Sequence, residues 1–210
     1  DDNTDIPILD DPQDGHGTAV TGSVINANPN AVIFFVEGFS DAAVLAAANQ
    51  PLVDIITTSF GPIGSVPVSG IEDDTEYAVN VMGKIHTGAC DNTASTCVQD
   101  ATGGPPWSIG IAGFQEDGDR GKVMHCSGTA PDIVADWTQY LPDHDSIDGY
   151  HDTSGTSFAT PRTAGVLSLV IQELRNQTND YGSGARNGSL ISGELFSITN
   201  YEIRRSMELS

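Results

Sequence analysis

Basic side chains are scarce in this chain: eight Lys and Arg face 29 Asp and Glu, giving a formal net charge of −21. Lysine occurs only at Lys84 and Lys122. A nucleic acid or an anionic membrane surface would meet a like-charged partner, which excludes both as ligands of the chain as a whole. Apolar runs long enough to cross a bilayer are missing as well; the longest candidate, Ala164–Glu173, already carries Ser168 and Gln172. Cysteine is limited to Cys90, Cys97 and Cys126, too few for a disulfide framework, although Cys90 and Cys97 would close a small loop in an oxidising compartment. A hydrophobic share of 38% over 210 residues suffices for a substantial core, so neither disorder nor a peptide-scale scaffold fits. The acidic excess reads as a solvated face or as adaptation to high salt, and composition does not choose between them.

Strand-length apolar runs alternate with stretches of helical period, the pattern of a mainly parallel sheet flanked by helices in a three-layer α/β domain. Ala31–Val36 predicts a buried strand, Asp41–Asn49 a helix capped by Ser40, and Asp54–Ser59 a second strand, together a βαβ unit. Ile71–His86 carries apolar residues at helical spacing behind an acidic first turn. Trp107–Phe114 and Asp132–Trp137 read as further strands, with Trp107 in the core. About 159–176 reads as the longest helix, with Pro161 in its first turn where a missing N–H has no partner to lose. The Gly- and Ser-rich stretch Thr178–Gly193 reads as an exposed connection, and helical spacing resumes over Ser197–Ser210. No internal repeat is present.

Two segments join a reactive side chain to small neighbours that leave it accessible. Gly15-His16-Gly17-Thr18 places a histidine at a helix entrance, and Gly155-Thr156-Ser157-Phe158-Ala159-Thr160-Pro161 delivers a serine to the start of the long helix. There, unpaired backbone N–H groups and the helix dipole stabilise developing negative charge. Serine is a feeble nucleophile at neutral pH and needs a base, which imidazole supplies. Alone, Gly-His-Gly reads as a turn and the serine as a helix cap. Their joint occurrence points to a His16–Ser157 couple.

The histidine box with its small-residue helix (Ala19, Gly22) and the GTSFATP box with Ala164-Gly165 resemble those of the subtilisin-like serine peptidases, in the same order. Further matches lie between them: Thr58-Ser59-Phe60-Gly61 resembles the segment that pairs with substrate, and Ala89-Cys90-Asp91-Asn92 the one that supplies a side-chain donor to the oxyanion hole. Pro106–Gly113 and Cys126–Asp132 resemble later segments, so the resemblance runs from about residue 15 to 207.

It implies one peptidase domain over residues 1–210 that cleaves polypeptides through an acyl-enzyme. Ser157 would be the nucleophile, His16 the base, Asn92 an oxyanion donor, and Ser59, Phe60 and Gly61 the substrate-binding strand. A register one residue shorter puts Asp91 in the oxyanion slot, where a carboxylate has no hydrogen to donate; Asn92 is therefore preferred. The resemblance also implies an extracellular or cell-surface location, which the acid-rich surface suits, and makes structural calcium an expectation. It requires no cofactor for catalysis and identifies no metal ligand. Asp143, Asp145 and Asp148 lack the glycine and terminal glutamate of a calcium loop and read as solvated, and the scattered histidines form no zinc spacing.

The family's catalytic aspartate lies on a strand some tens of residues before the histidine, whereas only fifteen residues precede His16. Asp1, Asp2, Asp5, Asp10, Asp11 and Asp14 read as an acidic loop, and Asp14 is too close in sequence to reach the far imidazole nitrogen. The expectation is a domain incomplete at its N-terminus, and at its C-terminus too. The rival expectation is an inactive relative that keeps the core as a binding or structural module.

Overall fold

The computed structural model describes residues 15–38, 40–60, 69–90, 92, 102–117, 120–123, 131–143, 149–178, 189–192 and 197–208. In chain order these form α1 (His16–Ala27), α2 (Asp41–Ala48), β1 (Ile55–Thr58), α3 (Ser69–Glu76) running into a π-helical turn (Tyr77–Val81), β2 (Ile85–Ala89), β3 (Ile109–Asp117), β4 (Arg120–Val123) and β5 (Ile133–Asp136). After them come β6 (Thr138–Pro142), β7 (Tyr150–Ser154), α4 (Thr156–Thr178), β8 (Ser189–Ser192), β9 (Ser197–Thr199) and α5 (Asn200–Glu208).

Four strands run parallel in the order β1-β2-β3-β5. Ile111 pairs with both Ala89 and Ile133, so β2 and β5 take opposite edges of β3. Beyond Ile111, antiparallel β4 occupies the edge that β2 leaves: Phe114 pairs with Val123 on one side and Asp136 on the other. Because successive strand residues face opposite ways, Ile55 and Ile56 enter different cores. Ile55, Ile85, Ile109 and Ile111 pack with Ala159, Leu167 and Ile171 of α4 and Ile203 of α5. Ile56 packs instead with Ala48 of α2 and Ala78 of the π-helical turn. The sheet is thus the middle of three layers, as the sequence predicts, and each fully buried Ile or Leu stabilises it by about 1.5–3 kcal/mol.

Helix α4 is clamped to β1 at both ends. Arg175, near its C-terminus, makes a bidentate ion pair with Asp54, the residue before β1, at 2.7 and 2.6 Å. Its other face carries α1 at backbone contact: a Cβ on Gly165 would stand 2.6 Å from the Ala27 Cβ and 2.8 Å from the Val24 carbonyl oxygen. Asn28 Nδ2 donates to Ser168 Oγ at 2.8 Å along the same seam.

Several sequence expectations need correcting. Ala31–Val36 is no buried strand: it has no strand partner among the described residues, and Val32, Phe34 and Phe35 are 96%, 50% and 62% exposed. The helix expected over Ile71–His86 ends early, because Gly83 adopts a left-handed φ of 68° and releases Ile85 and His86 into β2. The strand expected from Trp107 starts at Ile109, after a turn closed by Ser108 N–H on the Pro105 carbonyl at 3.0 Å. Half-buried Trp107 precedes the strand and donates through Nε1 to Thr75 Oγ1 at 3.0 Å. Helix α4 begins three residues before the expected start, so Pro161 sits in its second turn.

All of β2 is buried, so its polar members must find partners inside. His86 lies between two hydroxyls, Nε2 2.9 Å from Thr58 Oγ1 and Nδ1 2.6 Å from Ser108 Oγ. A neutral ring offers one donor and one acceptor, matching two hydroxyls. The fully buried Lys84 donates to the carbonyls of Gln50 and Val53, both at 2.6 Å; burial lowers its pKa and Asp54 opposes that shift.

Burial pushes the His86 pKa down from 6.5 to about 3. At pH 5 the native ring stays neutral while the unfolded chain takes up a proton. The contribution to stability is therefore complete above pH 6.5 and is lost as pH falls toward 3, by about 1.4 kcal/mol per pH unit. Urea unfolding at pH 7, 6 and 5 should show this slope on top of the carboxylate contribution, and His86→Gln should remove it. Identical slopes in both proteins contradict the assignment.

Candidate active site

The site forms where α4 begins. Strand β7 delivers the chain to Gly155, whose carbonyl accepts the N–H of Phe158 at 3.1 Å and of Ala159 at 3.3 Å. Thr156, buried, sews this start to the end of β2. Its N–H donates to Asn92 Oδ1 at 2.9 Å, and its hydroxyl lies 2.5 Å from the Cys90 carbonyl and 2.8 Å from Asn92 Oδ1. A backbone N–H can only donate, so the atom facing Thr156 is the amide oxygen and the Asn92 NH2 group takes the other side. Asn92 therefore stands against the Gly155-Thr156 turn, with its Nδ2 3.5 Å from where a Gly155 Cβ would be.

Ser157 is bound to β1 by a reciprocal pair: Ser59 Oγ donates to the Ser157 carbonyl at 2.7 Å, and Ser157 Oγ donates to the Ser59 carbonyl at 3.3 Å. Pro161 explains the first bond. The Ser157 carbonyl would ordinarily accept the N–H four residues on, and proline has none. Ser59 supplies the missing donor. Among the described residues the Ser157 N–H meets no acceptor.

His16 arrives from the other layer. Gly15, at a left-handed φ of 78°, turns the chain into α1, so His16 is its first residue. Its ring stands 5.6 Å from that of Phe158, centroid to centroid, tilted by 49°. The small residues of α1 permit this approach: Ala19 packs with Phe158 and Leu141, and Ser23 Oγ lies 2.8 Å from the Phe158 carbonyl and 2.7 Å from Gln139 Oε1. Gln139 Nε2 donates to the same Phe158 carbonyl at 2.9 Å.

Of the predicted residues, Ser59 and Asn92 thus bond to the first turn of α4, which carries Ser157, and the His16 ring faces Phe158 of the same turn, whereas Phe60 follows Ser59 and bonds to Thr102. Gly61 lies outside the described residues, as do Asp91 and every aspartate before His16. Carbonyls alternate after β1, with that of Ser59 toward Ser157 and that of Phe60 accepting Thr102 Oγ1 at 2.7 Å. Sequence reasoning missed Thr156, Pro161 and Thr102. Only the proline left a readable mark, four residues beyond the serine.

Cys90 is buried at the end of β2, and Cys97 and Cys126 lie outside the described residues. Among the described residues no three His, Cys, Asp or Glu side chains converge as metal ligands, so no calcium ligand set is assigned. Asp143 stands 3.7 Å from His151; Asp145 and Asp148 lie outside the description. No described helix is long and apolar enough to cross a membrane.

No protein-family model matches the chain, and no curated protein matches it in sequence. Solved structures do match in three dimensions. Sphericase superposes with a TM-score of 0.65 at 22% identity, over 94% of this chain and 69% of its own. A cold adapted subtilisin-like serine proteinase gives 0.64 at 19% identity, over 90% of this chain and 65% of its own. A lanthipeptide protease gives 0.64 at 15% identity, over 92% and 75%. The fold is subtilisin-like. In this subtilisin-like fold Ser59 and Asn92 follow the carboxyl ends of the parallel strands β1 and β2, where open α/β sheets place their ligands, and the start of α4 with Ser157 lies against them.

The Ser59–Ser157 pairing is testable by a double-mutant cycle. Ser59→Ala should cost about 1–3 kcal/mol by leaving a carbonyl without its donor. Adding Pro161→Ala to that variant should recover part of the loss, because residue 161 then has an N–H to offer. Strictly additive effects in urea melts would show that the two residues do not share the Ser157 carbonyl.

Proposed function

We propose that the protein is a serine endopeptidase acting through an acyl-enzyme. The observation that carries this reading is the convergence of Ser157, Asn92 and Ser59 at the start of α4, with the His16 ring against the neighbouring Phe158. In this reading Ser157 Oγ leaves the Ser59 carbonyl and turns to the imidazole when substrate binds, since catalytic hydrogen bonds tighten only in the complex.

His16 then accepts the hydroxyl proton as Ser157 Oγ bonds to the scissile carbonyl carbon. The Ser157 N–H and Asn92 Nδ2 hold the oxyanion, aided by the α4 dipole. On collapse the carbon–nitrogen bond breaks, the leaving amine takes the proton from His16, and water repeats the sequence to release the acid. Substrate lies extended beside Ser59–Gly61, recognised through backbone hydrogen bonds as an added strand. The residue that fixes the His16 tautomer is sought outside the described residues. A polypeptide substrate and an extracellular or cell-surface setting belong to this reading, and structural calcium remains part of the family expectation.

An alkyl fluorophosphonate applied to the full-length protein should label Ser157, and labelling should vanish in Ser157→Ala and fall sharply in His16→Ala. Absence of labelling would favour the binding or structural module. Asn92→Asp keeps the acceptor for Thr156 but loses the NH2 donor; kcat on a peptide substrate should fall by about 10²–10³ with KM little changed. An unaltered kcat removes Asn92 from the oxyanion site.

A further inference from the structure

Strands β6 and β7 pair as an antiparallel hairpin in which Tyr140 lies opposite Asp152 and Pro142 opposite Tyr150. Alternate residues take opposite sides of such a ribbon. Gln139 and Leu141 face inward, where Leu141 packs with Ala19 and Phe158 and Gln139 Nε2 donates to the Phe158 carbonyl. The other side faces solvent, with Tyr140 and Tyr150 63% and 51% exposed.

This outer side carries an ordered aromatic pair beside a carboxylate. The Tyr140 and Tyr150 rings stack with centroids 5.5 Å apart and planes 24° from parallel. Asp152, also exposed, stands across from Tyr140 and two residues from Tyr150 on the same side of the ribbon, so both tyrosines flank it. Asp54, Asp132, Asp136 and Asp143 each lie beside a basic side chain, in Arg175, Arg204, Arg162 and His151. Asp152 makes no hydrogen bond or ion pair among the described residues. Its hairpin has no cation to offer it: residues 138–154 contain no Lys or Arg, and His151 alternates to the other side, 3.7 Å from Asp143.

An unpaired carboxylate next to exposed aromatic rings is complementary to a cation, because the ring faces carry negative charge density. A guanidinium meets both features at once. It is planar and lies flat against a tyrosine ring, and its fork of N–H groups donates twice to one carboxylate, whereas an ammonium acts as a point charge. We infer that the outer side of the β6–β7 hairpin is a docking surface for an arginine side chain presented by a polypeptide partner, stacked on the Tyr140–Tyr150 pair and bonded to Asp152. The inference is independent of the peptidase reading.

The test is an NMR titration of the full-length protein that follows the Tyr140 and Tyr150 ring resonances. Its probes are N-acetyl-arginine amide, which carries a peptide unit on each side of the residue, and the citrulline counterpart, which keeps the size and planarity without the charge. The arginine compound should shift both rings and bind at least ~5-fold more tightly than the citrulline one. Asp152→Asn and Tyr140→Ala should each cut that preference at least ~3-fold, while Tyr140→Phe, which retains the ring face, should leave it unchanged.

Equal binding of the two compounds to the unmodified protein overturns the inference without any variant. A preference that Asp152→Asn or Tyr140→Ala leaves unchanged overturns it too, since attraction to the overall negative charge then accounts for the binding. The substituted side chains are exposed, and unchanged resonances elsewhere in the spectrum show that each variant has kept its fold. Because the readout is binding, failure here leaves the proposed activity of Ser157 standing.

Discussion

A carbonyl left without its helical donor governs the architecture of the site. Pro161 deprives the Ser157 carbonyl of the N–H it would receive in an uninterrupted helix, and Ser59 at the end of β1 supplies the replacement. With the Arg175–Asp54 ion pair at the far end of the helix, this bond fixes α4 against β1 at two points. Position along the helix is thereby set, and the serine hydroxyl stands at the carboxyl edge of the sheet. The remaining pieces follow from contacts with the same helix: Thr156 ties in Asn92 from β2, and Gly165 lets α1 settle close enough for His16 to reach Phe158. A constellation carried on strands and helices rather than on loops alone is held with the precision that chemistry demands.

Charge is distributed with a similar economy. The surface is strongly acidic, yet one of the two lysines is buried among carbonyls, and one of the five histidines is buried between hydroxyls. Inside the sheet these groups do structural duty, each matched to partners that satisfy its donors and acceptors. Outside, the excess of carboxylates sets up a negative field that fades over about a Debye length.

The layered fold was legible because β-branched runs and helical spacing differ in period. Ile55–Thr58 and Ile133–Asp136 emerged as strands within a residue of their predicted bounds. Errors arose where a local pattern needed a distant partner to decide it. Ala31–Val36 has the composition of a strand, but a strand is a property of a pair, and no described strand pairs with it. Ile85 fits the spacing set by Val81 and Met82, and only the left-handed Gly83 separates it from the helix. The hairpin of β6 and β7 alternates exposed and buried residues over Thr138–Leu141, a weak signal in so short a segment. In the site, His16 and Ser157 were readable because glycines and small residues surround them, and Asn92 because its segment resembles the family's oxyanion segment. Thr102 and Thr156 were not, since their roles consist of hydrogen bonds to segments far away in sequence.

The most direct test of this arrangement is a crystal structure of the full-length protein with a peptidyl phosphonate bonded to Ser157 Oγ. The account predicts that the phosphoryl oxygen lies within hydrogen-bonding distance of both the Ser157 N–H and Asn92 Nδ2, with the His16 imidazole facing the adduct and Ser59 still bonded to the Ser157 carbonyl. An adduct whose phosphoryl oxygen touches neither donor, or an imidazole turned away from it, would contradict the account.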